Sequence, residues 1–131
     1  MSKPLILKIL DRLKTVETQI QNKQDIIDET EWANMVLEND WENYGGSFDV
    51  ASYKKIGNLV ILRGLVKGGT TKTTIFTMPT GFRPSAAKII PATSSSGNTV
   101  ELRVEKSGDV HVNSGTLSSW VSLDSVIYYV D

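Results

Sequence analysis

Between Trp41 and Pro84 the chain is cut into short apolar stretches by glycine and proline, and this punctuation constrains the fold more than any other feature. The segment opens on an aromatic turn, Trp41-Glu42-Asn43-Tyr44-Gly45-Gly46. A strand pattern from Ser52 to Ile56 ends at a Gly57-Asn58 corner. Leu59 to Val66 follows, apolar on both faces except for Arg63 and Gly64. Gly68-Gly69 then leads into a strand from Thr73 to Met78, and the corner Pro79-Thr80-Gly81-Phe82-Arg83-Pro84 closes the segment. β-Branched residues between such breaks read as consecutive antiparallel strands of an all-β unit.

The N-terminal part obeys a different period. Pro4 suits a helix start, where its missing N–H costs nothing. Ile6, Ile9, Leu13, Val16, Ile20 and Ile27 then fall at alternating three- and four-residue spacing, with Lys23 in the remaining slot. A period of 3.5 over about three heptads predicts a coiled coil. Ile6, Leu13, Ile20 and Ile27 take the a positions, and Ile9 and Val16 the d positions. Leu5 and Leu10 widen the apolar seam, which favours more than two strands, and Arg12 and Glu17 stand at interchain ion-pair spacing. A helix from Pro4 to Glu29 would be roughly 39 Å long. The same stripe would also serve an amphipathic helix lying on its own sheet. The acids Asp25, Asp28, Glu29 and Glu31 oppose the negative helix end and help to stop it. The domain boundary thus falls near residue 30, dividing a 1–30 helical stalk from a 31–131 head.

Within the head, Trp32 to Leu37 alternates as a first strand and turns at Asn39-Asp40. In the central strand Val60, Leu62 and Val66 point one way and Leu59, Ile61 and Leu65 the other. A strand apolar on both sides needs cover on both sides. One cover is the opposite sheet of a sandwich and the other a neighbouring subunit, with Arg63 needing a carboxylate or carbonyl partner. Ile89-Ile90 reads as a strand broken at Pro91, and Thr93 to Asn98 as a small polar loop. Gly68 to Thr73 lacks the spacing of a phosphate-binding loop and reads as a hairpin loop.

The last third of the chain supplies the candidate site. Setting Val104 opposite Val110 leaves the loop Lys106-Ser107-Gly108, a favoured three-residue hairpin connection. That register places Arg103 opposite His111, Glu105 opposite Asp109 and Glu101 opposite Asn113, all outward, with Trp120 a short loop away. Saccharides are held by aromatic faces and by planar side chains that donate and accept paired hydrogen bonds. Arg103 would suit phosphate-bearing sugars. Glu101, Arg103, Asp109, His111 and Trp120 are therefore the candidate saccharide-binding residues. The same residues would also make a plain cross-strand charge ladder, with Trp120 as a packing anchor.

The ordered motifs W-x-N-Y-G-G, Y-K-K-I-G-N, L-R-G-L-V-K-G-G and P-x-G-F-R-P resemble the head domains of receptor-binding and tail-fibre proteins of tailed phages infecting Gram-positive bacteria. The likeness runs from about Trp32 to Val130. It implies a trimeric antiparallel β-sandwich head on a helical or fibrous stalk. It also implies adhesion to host cell-wall polysaccharide or teichoic acid, attachment to tail or baseplate proteins through the N-terminal helix, and a place in the virion after release by lysis.

Composition narrows the alternatives. The absence of cysteine removes thiolate chemistry, and one histidine makes a histidine cage impossible within one chain; no cofactor or metal is implied. No apolar run is long enough for membrane insertion. Residues 51–131 hold nine bases against five acids, a bias too small and scattered for nucleic acid. Glu101 and Glu105, four residues apart on one strand, stand roughly 13 Å apart, beyond the reach of paired glycosidase carboxylates. A non-enzymatic adhesin is the favoured reading, and a purely structural tail component the alternative.

Overall fold

The computed structural model describes residues 4–25 and 28–130, and of residues 16–25 the backbone alone. Helix α1 spans Leu5–Asp25, with Pro4 O accepting from the N–H groups of Leu7 and Lys8. It stops short of the expected Glu29, because the chain has already joined a sheet there: Glu29 bridges Ile56, and Gly57 N–H donates to Asp28 O. Every residue from Pro4 to Thr15 is exposed, including the seam positions Ile6 (69%), Ile9 (49%) and Leu13 (54%). Over this part the helix does not lie on its own sheet. The side chains of Val16 and Ile20, and the whole of Ile27, lie outside the described residues.

The rest of the chain is mainly β, all antiparallel. The strands are β1 (Ala33–Asn34), β2 (Glu42–Asn43), β3 (Ser52–Ile56), β4 (Leu59–Arg63), β5 (Leu65–Lys67), β6 (Thr74–Thr77), β7 (Lys88–Thr93), β8 (Thr99–Val104), β9 (Asp109–Gly115), β10 (Trp120–Ser122) and β11 (Ile127–Tyr129). They form three sheets, in the orders β1-β3-β4-β11, β10-β5-β2 and β6-β9-β8-β7. One apolar core is shared by all three, with Val60 and Leu62, Val66 and Val121, and Leu102, Val110 and Val112 fully buried. Each such side chain contributes about 1.5–3 kcal/mol by leaving water.

Several strand details depart from the sequence reading, and the first strand, expected over Trp32–Leu37, is only Ala33–Asn34. The central strand is divided at Gly64, whose φ of +126° only glycine tolerates, so β4 and β5 enter different sheets. The Gly68–Thr73 loop consequently joins strands of two sheets and is not a hairpin loop. Strand β7 also continues through Pro91, which pairs with Glu101. Strand β7 is an edge strand, where a missing N–H leaves no ladder bond unmade.

Other turns follow their chemistry. Asn39 and Asp40 both have positive φ and reverse the chain in two residues, with Trp41 N–H donating to Glu38 O. The Ser-rich loop is anchored where it begins: Ser94 Oγ donates to Thr116 O, and Ser95 and Ser118 share a hydroxyl pair. Trp41 is buried against Gly69, and its Nε1–H donates to Thr73 Oγ1.

Tyr128, on β11, donates its hydroxyl to Phe82 O at 2.6 Å. Burial pushes its pKa far above the ordinary tyrosine value. A raised folded-state pKa means that the neutral phenol's stabilisation is complete below about pH 10, the unfolded value, and is lost as pH rises beyond it. Urea unfolding is expected to show stability falling above about pH 10. Tyr128→Phe should flatten part of that fall while costing about 1–2 kcal/mol at neutral pH for the lost bond. An unchanged alkaline slope in the variant would contradict this.

Candidate functional site

The β8–β9 hairpin forms in the expected register at its tip. Val104 pairs with Val110 and Arg103 with His111, and Gly108 turns the chain at φ +92°. A bulge between Glu101 and Leu102 then shifts the pairing, so Glu101 faces Ser114 and not Asn113. The side chains still meet. Glu101 Oε2 accepts from Asn113 Nδ2 at 2.7 Å and from Arg103 Nε at 3.0 Å. These two donors, Asn113 first, lower the Glu101 pKa below the usual carboxylate range. Arg103 Nε is thereby held against its neighbour, and its two terminal nitrogens make no hydrogen bond among the described residues.

His111 and Asp109 share that face but are less open than an outward strand suggests. The His111 side chain is 13% exposed, and its Nδ1 lies 3.3 Å from Asp109 Oδ2. The alignment is not that of a hydrogen bond, and Nδ1 and Asp109 Oδ1 have no hydrogen-bond partner among the described residues. A shallow groove beside this cluster is lined by Glu101, Ile89, Pro91 and Ser114. The structure therefore brings Glu101, Arg103, Asp109 and His111 onto one sheet face.

Trp120 is placed elsewhere. It pairs with Lys67 in the β10-β5-β2 sheet and lines a cleft of about 390 Å³ with Tyr44, Phe48, Asp49, Gly64 and Asp124. None of the hairpin candidates lines this cleft. Tyr44, in the aromatic turn that opens the segment, is 40% exposed, and Phe48 54%. Their rings meet edge to face, 5.4 Å between centroids. The signal for them was two aromatics four residues apart around Gly45-Gly46, in a stretch with no strand alternation to explain them.

Arg63 resolves differently from its expected carboxylate or carbonyl. Its guanidinium carbon lies 4.0 Å from the centroid of the Trp32 ring, and Lys54 Nζ sits 5.3 Å from the same ring. Lys54 also pairs with Glu29. Arg63 Nε is buried and has no hydrogen-bond partner among the described residues. Next to it, the register aligns Lys54, Ile61 and Ile127 in one row and Ile56, Leu59 and Tyr129 in another. The outer side of this sheet is thus largely apolar, and Ile127 and Tyr129 stand exposed on it.

Among the described residues no helix is long and apolar enough to cross a membrane. No family model matches the chain, and no curated protein matches it. A solved structure does: the crystal structure of the receptor binding protein (gp15) of Listeria phage PSA aligns with a TM-score of 0.79 and 21% sequence identity. The alignment covers 99% of this chain and 82% of that one. This chain therefore shares, over nearly its whole length, the fold of a phage receptor binding protein.

Proposed function

We propose that the chain is a homotrimeric receptor-binding protein of a phage tail tip or baseplate, adhering non-covalently to host cell-wall saccharide. The observation that carries the reading is the fold likeness, which includes nearly the whole chain and not the β part alone. Two apolar surfaces left exposed among the described residues support the trimer. One is the helix seam at Ile6, Ile9 and Leu13; the other is the outer sheet face with Ile127 and Tyr129. Residues 1–30 then act as the stalk that attaches to other tail or baseplate proteins, and residues 31–131 as the binding head. Many copies on one virion offset a weak single site.

The hairpin face is the contact for an anionic, phosphate-bearing stretch of the polymer. Glu101 and Asn113 orient Arg103, whose free fork matches phosphate oxygens. Hydrolysis fits this face poorly. A carboxyl held ionised by two donors has no proton to give a leaving group at neutral pH. The closed Glu101–Arg103–Asn113 ladder is also the observation that favours the second reading, a structural tail component with no glycan site of its own.

Adhesion to purified cell walls of Gram-positive bacteria tests the two readings. Arg103→Ala is expected to lower wall binding about tenfold, the loss of one charge-assisted contact worth about 1.5 kcal/mol, without altering subunit association. Undiminished binding would remove the hairpin face from the site. No binding by the unaltered protein to any wall would favour the structural reading.

A further inference from the structure

We infer that the cleft between the Tyr44–Phe48 turn and Trp120 is a second binding site, and that it takes an uncharged sugar ring. Its size, about 390 Å³, lies within the roughly 300–1,000 Å³ typical of small-molecule clefts. Three aromatic side chains line it, and none of them belongs to the hydrophobic core. Two of these, Tyr44 and Phe48, keep large apolar surfaces in water, held in place by their edge-to-face contact. Aromatic rings with two side-chain torsions present rigid surface at little entropic cost.

The floor is equally fixed. Gly64 N–H donates to Asp124 Oδ1 at 2.9 Å, and Gly64 O accepts from Leu123 N–H at 2.8 Å. Asp124 is thereby oriented, and its Oδ2 has no partner among the described residues. The carboxylate of Asp49 likewise makes no bond to another described side chain or backbone group. These carboxylates accept hydrogen bonds only.

Charge selects the ligand. The residues lining the cleft include two acids and no base. Lys67, above the Tyr44 ring at 5.4 Å, is not among them and lies 3.8 Å from Glu42. Phosphate and uronate groups would meet unbalanced negative charge. A neutral pyranose instead offers hydroxyl donors to Asp49 and Asp124 and an apolar C–H face to the rings. The cleft therefore complements the hairpin face: one site for glycosyl units and one for charged units of the same polymer. That pairing rests on the adhesive reading, whereas sugar binding by the cleft does not.

The test is a titration of the full chain, labelled with nitrogen-15, with the methyl glycosides of glucose, galactose, mannose and N-acetylglucosamine, and with glucose 1-phosphate as the anionic probe. At least one methyl glycoside should shift the indole N–H resonance of Trp120, assigned with Trp120→Phe, in a saturable manner. The indole of Trp41, bonded to Thr73, should stay in place. Glucose 1-phosphate should bind at least about tenfold more weakly than the matching neutral glycoside, a difference of about 1.4 kcal/mol. Tyr44→Ala and Phe48→Ala, both at exposed positions, should each weaken binding by about tenfold or more. No saturable shift with any glycoside overturns the site, as does undiminished binding in both variants. Preference for glucose 1-phosphate overturns the ligand class. Glycoside binding by a protein that adheres to no cell wall would support the cleft while removing the adhesive reading. Wall adhesion without glycoside binding would do the reverse.

Discussion

An aspartate in place of Leu13 is expected to reduce the particle in solution from three chains to one 14.5 kDa chain. Leu13 is an a position of the N-terminal stripe and is 54% exposed in the single chain, as are its seam neighbours Ile6 and Ile9 to similar degrees. In the proposed trimer, this exposed stripe is covered by the same stripe of the other copies. Each chain would forfeit about 1.5–3 kcal/mol of apolar burial. Three carboxylates would also converge on one axis, where like charges and desolvation both oppose ionisation. Sedimentation equilibrium of the wild-type and Leu13→Asp chains measures this directly. A wild-type monomer would sink the trimer reading. A variant that stays trimeric with a frayed helix would assign the association to the outer face around Ile127 and Tyr129.

The second large effect is expected at Gly64. A Cβ there would lie 2.5 Å from Ala51 Cα and 2.8 Å from Ala51 N, both backbone atoms that cannot turn aside. The φ of +126° adds strain for any side chain. Gly64→Ala should therefore cost about 2–4 kcal/mol, combining strain and overpacking. Gly45→Ala is the matched control, since its φ is +85° but nothing lies within 4 Å of the added carbon. It should cost only about 1–2 kcal/mol. Urea midpoints at constant slope separate the two, and equal losses would show that conformation alone matters at Gly64. Because Gly64 forms the cleft floor and holds Asp124, its replacement should also abolish glycoside binding.

Much of the head was legible in the residue order. The strand from Ser52 to Ile56 and the Asn39-Asp40 and Gly57 turns appear where alternation and turn chemistry put them. So does the pairing of Arg103 with His111. Alternation specifies which residues face inward, and a short loop specifies register, so both are local information. The misreadings share a cause. Pro91 breaks a strand only if its N–H side is paired, and that depends on β7 being an edge. Arg63 found an aromatic ring and not a carboxylate because Trp32 lies on the adjoining segment of the same face.

The candidate site divided along the same line. The hairpin cluster survived as a group because its members lie within one local pair of strands, even though the bulge at Glu101 moved one partner by a residue. Trp120 did not join it, because its neighbours were chosen by the pairing of β10 with β5, more than fifty residues away in sequence.

By itself, the order of residues determined the β head, its turns, the hairpin and the apolar stripe of the helix, since each depends on the periodicity and backbone freedom of a few adjacent residues. Only the tertiary structure decided that the central strand splits at Gly64 and that Tyr44, Phe48 and Trp120 enclose one cleft. Those outcomes depend on how three sheets close around a shared core, where contacts distant in sequence compete and the best-packed arrangement prevails.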